Sequence, residues 1–214
     1  SFHTGWVQIW AAEQTMQSAD WYQGTADAVR KQLFEIRSTR APHVLVLAGD
    51  HLYNMDYSEM ARFHWEHNAD ITVAVQPVPR AEAPRLGILK RSHDCRIQNF
   101  VEKCKDPAYL ETFVSTDDPG KPFLGSMGIY LFRTDILFDI LEKNAYDDFG
   151  GQVIPHAINQ HAVYGYDFTG YWEDIGTIRS FFETNLQLAR PNSPFDLNDA
   201  KHRLYTHPRF LPCS

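Results

Sequence analysis

The stretch His43-Val-Leu-Val-Leu-Ala48, closed by Gly49-Asp50, decides the fold class. A short apolar run that stops at a turn signal predicts a strand buried on both faces, as strands of parallel sheets are. Upstream, residues 25–37 (TADAVRKQLFEIR) set Val29, Leu33 and Ile36 at helical spacing, with Thr25 as a cap. Downstream, residues 56–67 (DYSEMARFHWEH) repeat the helical pattern with Met60, Phe63 and Trp65 as apolar members, and residues 70–76 (DITVAVQ) are β-branched and strand-like. Helix, strand, helix, strand with short connections predicts an α/β fold, a mixed, mostly parallel sheet flanked by helices.

Further along the pattern changes. Residues 87–90 and 96–102 read as two strands of a hairpin around the polar turn 92–94. Turn formers dominate residues 106–122, a surface excursion. Residues 123–132 (FLGSMGIYLF) predict a central strand. Residues 134–144 follow as a helix with Ile136, Leu137, Ile140 and Leu141 inward, then a short helix over 153–160 and a strand over 162–168. An amphipathic helix over 177–190 ends at Pro191 and Pro194, and residues 191–214 read as a linker.

Composition narrows the function. With 43% hydrophobic residues in 214, the chain fills a core and is not a disordered one. Twenty-seven acidic against 20 basic residues leave a net charge of −7, poorly matched to the phosphate backbone of nucleic acid. No stretch approaches the ~20 apolar residues of a membrane span, and SFHTGWVQIW lacks the basic start and apolar core of a secretory signal. Cys95, Cys104 and Cys213 show no paired spacing and read as free thiols of a reducing cytoplasm. The ten histidines, His64/His67 and His156/His161 included, form no metal motif and read as surface or hydrogen-bonded core residues.

Three places carry candidate chemistry. Gly49-Asp50 follows a strand, where open α/β sheets bind ligands, and Asp174 precedes Gly176 and a helix start. Two acids converging from distant segments would make a Mg²⁺ site for phosphoryl or nucleotidyl transfer. The plainer alternatives are a tight turn at Gly49-Asp50 and a helix cap at Asp174 or Thr177. Lys103, ending the apolar segment 100–103, offers a point charge for a phosphate. In a regular strand Glu102 faces the other way, and the plainer alternative is a solvated ion pair of little energetic weight.

In order, Trp21-Tyr-Gln-Gly-Thr-Ala-Asp-Ala28, Leu47-Ala-Gly-Asp-His51, Phe100-Val-Glu-Lys103, Gly125-Ser-Met-Gly-Ile-Tyr130, Asp148-Phe-Gly150 and Tyr171-Trp-Glu-Asp-Ile-Gly-Thr177 resemble the bacterial ADP-glucose pyrophosphorylase (glucose-1-phosphate adenylyltransferase) family of sugar nucleotidyltransferases. The resemblance covers about residues 6–204. It implies a Rossmann-like, GT-A-like catalytic domain over 1–190. It also implies an activity, ATP and glucose 1-phosphate to ADP-glucose and pyrophosphate, in glycogen or starch synthesis. By the resemblance Asp50 and Asp174 hold Mg²⁺ and, with Lys103, are catalytic. Tyr22, Gly87, Glu102, Lys103 and Ser126 match the glucose 1-phosphate pocket, Lys103 on the phosphate and Glu102 on sugar hydroxyls. Gln14, Gly24 and Thr25 match positions near the nucleotide. A cytoplasmic, allosteric homotetramer is implied for the full-length parent.

The departures set further expectations. The family's Gly-x-Gly-x-Arg-Leu loop, which grips the triphosphate, has no counterpart in residues 1–20, nor has its C-terminal β-helix. Cys104 stands where the family has proline, and Gly151 where it has lysine. The chain therefore reads as part of a longer enzyme, with little turnover alone. The alternatives are a non-catalytic sugar-phosphate-binding or regulatory subunit that assembles with a complete homologue, and a sibling enzyme using another nucleoside triphosphate.

Overall fold

A computed structural model of the chain describes residues 5, 7–10 and 21–194. The chain falls into two compact units, residues 1–47 with 60–167 and residues 48–59 with 168–214. Along it run α1 (Thr25–Arg30), α2 (Leu33–Thr39), β1 (His43–Val46), β2 (His51–Tyr53), α3 (Tyr57–Glu66), β3 (Ile71–Val78), β4 (Gly87–Arg91), β5 (Ile97–Glu102), α4 (Pro107–Glu111), β6 (Phe123–Arg133), α5 (Thr134–Lys143), a π-helical turn (Phe149–Val153), α6 (Ile154–Ala157), β7 (Val163–Asp167), β8 (Trp172–Asp174) and α7 (Ile178–Leu188). The strands β2 and β8 and the helix α7 belong to the second unit.

The first unit is a six-stranded mixed sheet in the order β5-β4-β6-β3-β7, with β1 also paired to β6. An α/β fold is what the sequence predicts, but the expectation of mostly parallel pairing is corrected. Only β3 and β7 pair in parallel; β1, β3 and β4 each run antiparallel to β6, and β5 antiparallel to β4. The strands β1, β3, β4 and β7 do share one direction. The reversed β6 lies among them, and an apolar run reports burial rather than the direction of a neighbour. Along one edge of β6, β4 pairs at Leu124 and Gly125 and β1 pairs at Tyr130 to Arg133, while β3 takes the other edge. Accordingly β1 is half-buried rather than enclosed, and Leu47 beyond it is 43% exposed.

Side-chain alternation assigns the faces. Ile71, Val73 and Val75 of β3 and Tyr130 and Phe132 of β6 join a core with Leu33 of α2, Leu137, Ile140 and Leu141 of α5, and Ile154 and Ala157 of α6. Thr72, on the opposite face of β3, meets His64 of α3, whose Nδ1 lies 2.7 Å from the threonine hydroxyl. Burial, with His43 adding to it, lowers the His64 pKa to about 4. On α3 the inward residues are Met60 and His64, four apart, so Trp65 is turned out and 60% exposed, against the sequence expectation.

The hairpin of β4 and β5 forms with Gly87 opposite Glu102. The excursion over 106–122 contains α4, capped by the Asp106 carboxylate and anchored by buried Leu110 and Phe113. Among the described residues no helix is long and apolar enough to cross a membrane. Most of the expected linker, and Cys213, lie outside the described residues.

Candidate active site

In the second unit, β2 and β8 pair antiparallel with His51 opposite Asp174 and Tyr53 opposite Trp172. The Ile175 N–H extends the ladder to the Asp50 carbonyl at 2.9 Å. This register brings two acids 124 residues apart in sequence to one place. Gly176 marks it: a methyl group built there would lie 2.9 Å from Asp174 Oδ1 and 3.2 Å from Asp50 Oδ2. Asp174 Oδ1 accepts the Gly176 N–H at 2.8 Å. Thr177, not Asp174, caps α7, its hydroxyl accepting the Ser180 N–H at 3.0 Å. That leaves Asp174 at the strand end facing Asp50. One oxygen or nitrogen each from Asp50, His51 and Asp174 lies within 4.8 Å of the others, close enough to hold one metal ion.

In the first unit the feature that organises the site is the Glu102 carboxylate. It ends β5 on the same face as Phe100, two residues earlier, which packs on the core. Two glycines make room for it. A methyl group at Gly87 would come within 2.7 Å of Glu102 Oε2, and one at Gly150 within 2.6 Å. Burial pushes the Glu102 pKa up against the pull of Lys103, and the charge of Asp148 adds to the rise. Lys103 does not face away, as a regular strand requires. The strand stops at Glu102, Lys103 takes a left-handed φ of 48°, and its Nζ returns to 3.5 Å from Glu102 Oε1. Nearby, the buried Tyr130 hydroxyl is hydrogen-bonded to Ser126, whose Oγ also accepts the Gly128 N–H at 3.3 Å.

An acid pair able to hold a cation and a recessed carboxylate beside a lysine are parts suited to phosphate-ester chemistry. Residues 2–190 match the family described as nucleotidyl transferase. The chain belongs to that family.

In this nucleotidyl transferase the segment Trp21-Tyr-Gln-Gly-Thr-Ala-Asp-Ala28 is held by packing as well as by hydrogen bonds. A methyl group at Gly24 would sit 2.3 Å from the Asp147 carbonyl oxygen, which instead accepts the N–H groups of Ala26 and Asp27. Thr25 is not the cap of α1: its hydroxyl donates to Asp148 Oδ2 at 3.1 Å and accepts the Phe149 N–H at 3.2 Å. Asp27 is buried. Burial alone would raise its pKa, but the Gln23 N–H, Lys31 and Arg30 outweigh that and hold it below the usual carboxylate range. Tyr22 accepts a hydrogen bond from Gln32 at 2.9 Å, with the Lys31 ammonium 5.4 Å from its ring centre.

The expected site residues of the nucleotidyl transferase thus form two groups. Asp50 and Asp174 meet in the second unit. Gly87, Glu102 and Lys103 meet in the first, which also holds Ser126, Tyr22, Gly24 and Thr25. Gln14 lies outside the described residues. The structure adds Tyr130, Asp148 and Gly150 to the first group and His51 to the second. All four sit inside motifs visible in the sequence. Only contact geometry separates them from their neighbours.

Proposed function

We propose that this nucleotidyl transferase acts on a sugar 1-phosphate, joining glucose 1-phosphate to ATP to give ADP-glucose and pyrophosphate. The observation that carries the reading is the Glu102 carboxylate lodged between Gly87 and Gly150 with the Lys103 ammonium beside it. A recessed acceptor next to an exposed cation suits a ligand with hydroxyls at one end and a phosphate at the other. Lys103, 68% exposed along its side chain, reaches the phosphate, while Glu102, 25% exposed, accepts from the sugar hydroxyls. The charge of Glu102 also acts on the Tyr130 hydroxyl, which is hydrogen-bonded to Ser126.

Asp50 and Asp174 fit Mg²⁺, since hard oxygen donors are its usual ligands and their oxygens converge over Gly176. When bound, the cation neutralises charge on the transferring phosphates. The attacking group is an oxygen of the sugar phosphate, already ionised at neutral pH. It bonds to the α-phosphorus of ATP as the bond to pyrophosphate breaks, so the chain need supply no general base. Its residues orient the nucleophile and exclude alternative poses.

Calorimetry on the chain with glucose 1-phosphate tests the reading. Binding is expected, weakened about tenfold or more by Lys103→Ala, in line with the loss of a charge-assisted contact. Equal binding of glucose and glucose 1-phosphate would overturn it. Competition among ATP, UTP, GTP and dTTP then decides the base, and preference for a nucleotide other than ATP would move the reading to a sibling activity.

A further inference from the structure

The three groups nearest the cation site, Asp50, His51 and Asp174, look at first like three ligands. The hydrogen bonding of His51 argues otherwise. The indole Nε1–H of Trp172, the cross-strand neighbour of Tyr53, points at His51 Nδ1 at 3.4 Å, with the rings edge to face at 5.4 Å between centres and an 86° interplanar angle. An indole nitrogen only donates, so its partner must present a lone pair. A proton on Nδ1 would set two N–H groups against each other. The neutral ring therefore carries its proton on Nε2, because the bond one ring nitrogen makes fixes the tautomer of the other. A protonated Nε2 has no lone pair for a metal. It lies 3.7 Å from Asp50 Oδ1, whereas Asp50 Oδ2 is the oxygen that faces Gly176 beside Asp174 Oδ1.

We infer that His51 is a positioning residue rather than a metal ligand. Locked by Trp172 with its proton on Nε2, it sets that N–H side of the ring 3.7 Å from one oxygen of Asp50, where it acts through charge rather than a direct hydrogen bond, and leaves the other oxygen for the cation. This rests on the reading that Asp50 and Asp174 hold a divalent ion. It gives the site a two-carboxylate, all-oxygen donor set, favouring Mg²⁺ or Mn²⁺ over the nitrogen-seeking Zn²⁺. Carboxylate ligands are commonly oriented by groups of their outer shell.

Two measurements test it. On the unsubstituted, metal-free chain labelled with ¹⁵N-histidine, long-range ¹H–¹⁵N spectra are expected to show His51 protonated on Nε2 and bare on Nδ1; the reverse tautomer overturns the inference. With Mn²⁺ as probe, pulsed EPR is expected to show no directly bonded nitrogen. A bonded ¹⁴N signal that disappears in His51→Gln overturns it as well. His51→Gln, which keeps an N–H near the Nε2 position, is expected to hold Mn²⁺ within about threefold of the parent, and His51→Leu to lose about tenfold, the lower end of outer-shell effects. Equal affinity of parent, Gln and Leu variants counts against a positioning role. If Asp174→Asn leaves Mn²⁺ binding unchanged, the metal reading itself fails, while the tautomer spectrum still decides the state of His51.

Discussion

The two groups of site residues are built in opposite ways. Glu102 sits where packing confines it: its carboxylate fills the space that side chains at Gly87 and Gly150 would take, and a core aromatic lies two residues away on the same strand. Asp50 and Asp174 sit where a short ladder delivers them, the Asp50 side chain 65% exposed and their oxygens converging over Gly176. The first is shaped by exclusion, the second by register. Under the function proposed above, the first group reads a sugar with many hydroxyls to confuse, and steric definition serves that task. A hydrated cation brings its own geometry and needs only two oxygens offered together.

Substitutions at the glycines separate the two designs. The largest effect is expected at Gly24→Ala, because the obstacle there is the Asp147 backbone carbonyl, which cannot swing aside. A loss of about 3 kcal/mol in chemical denaturation is expected, within the range for overpacking. A loss below about 1 kcal/mol would show that the loop yields. Next is the acid pair. Asp174→Asn is expected to weaken Mn²⁺ binding about 30-fold or more in a calorimetric titration, roughly 2 kcal/mol, with the thermal midpoint unchanged.

Gly150→Ala comes third, since its obstacle is the end of a flexible side chain. Stability is expected to change by less than about 1 kcal/mol while glucose 1-phosphate affinity falls about tenfold. If stability falls and affinity holds, the nest serves the fold and not the ligand. The smallest effect is on Glu102 itself. Its pKa is raised in the folded chain, so its stability contribution is full below the unfolded carboxylate range and is lost as pH rises through the folded value. Glu102→Gln removes that cost and is expected to stabilise the chain at pH 7 by a few tenths to about 1 kcal/mol, with no gain near pH 4, while sugar-phosphate binding drops. Equal denaturation midpoints for parent and variant at both pH values would place the carboxylate in a wetter setting than the structure gives it.

Much of the architecture is legible in the sequence, because its signals are local. The long β3 and β6, the hairpin of β4 and β5, and α5 and α7 announce themselves by period and turn chemistry. The three-residue strands β2 and β8 do not. Too short to show a period, they exist because each pairs with the other, and they bring Asp50 to Asp174. In the same way nothing local in the sequence marks His64 rather than Trp65 as the inward residue of α3. The preference comes from Thr72, which receives the imidazole. The motifs flagged Asp148-Phe-Gly150 without saying why a glycine is required. The reason is an oxygen atom of Glu102, 48 residues earlier in the chain.

One feature of the sheet bears on how the first unit breathes. Along a single edge β6 is paired by β4 as far as Gly125 and by β1 only from Tyr130, and across its other edge the ladder to β3 slips between Val73 and Val75. Gly128, with φ of 66°, lies in that interval. The longest strand of the sheet is thus two shorter ones spliced between Ser126 and Tyr130. Amide exchange should run in two blocks, with the splice opening ahead of either half, so that Ser126 sits on a seam the protein can open without unfolding.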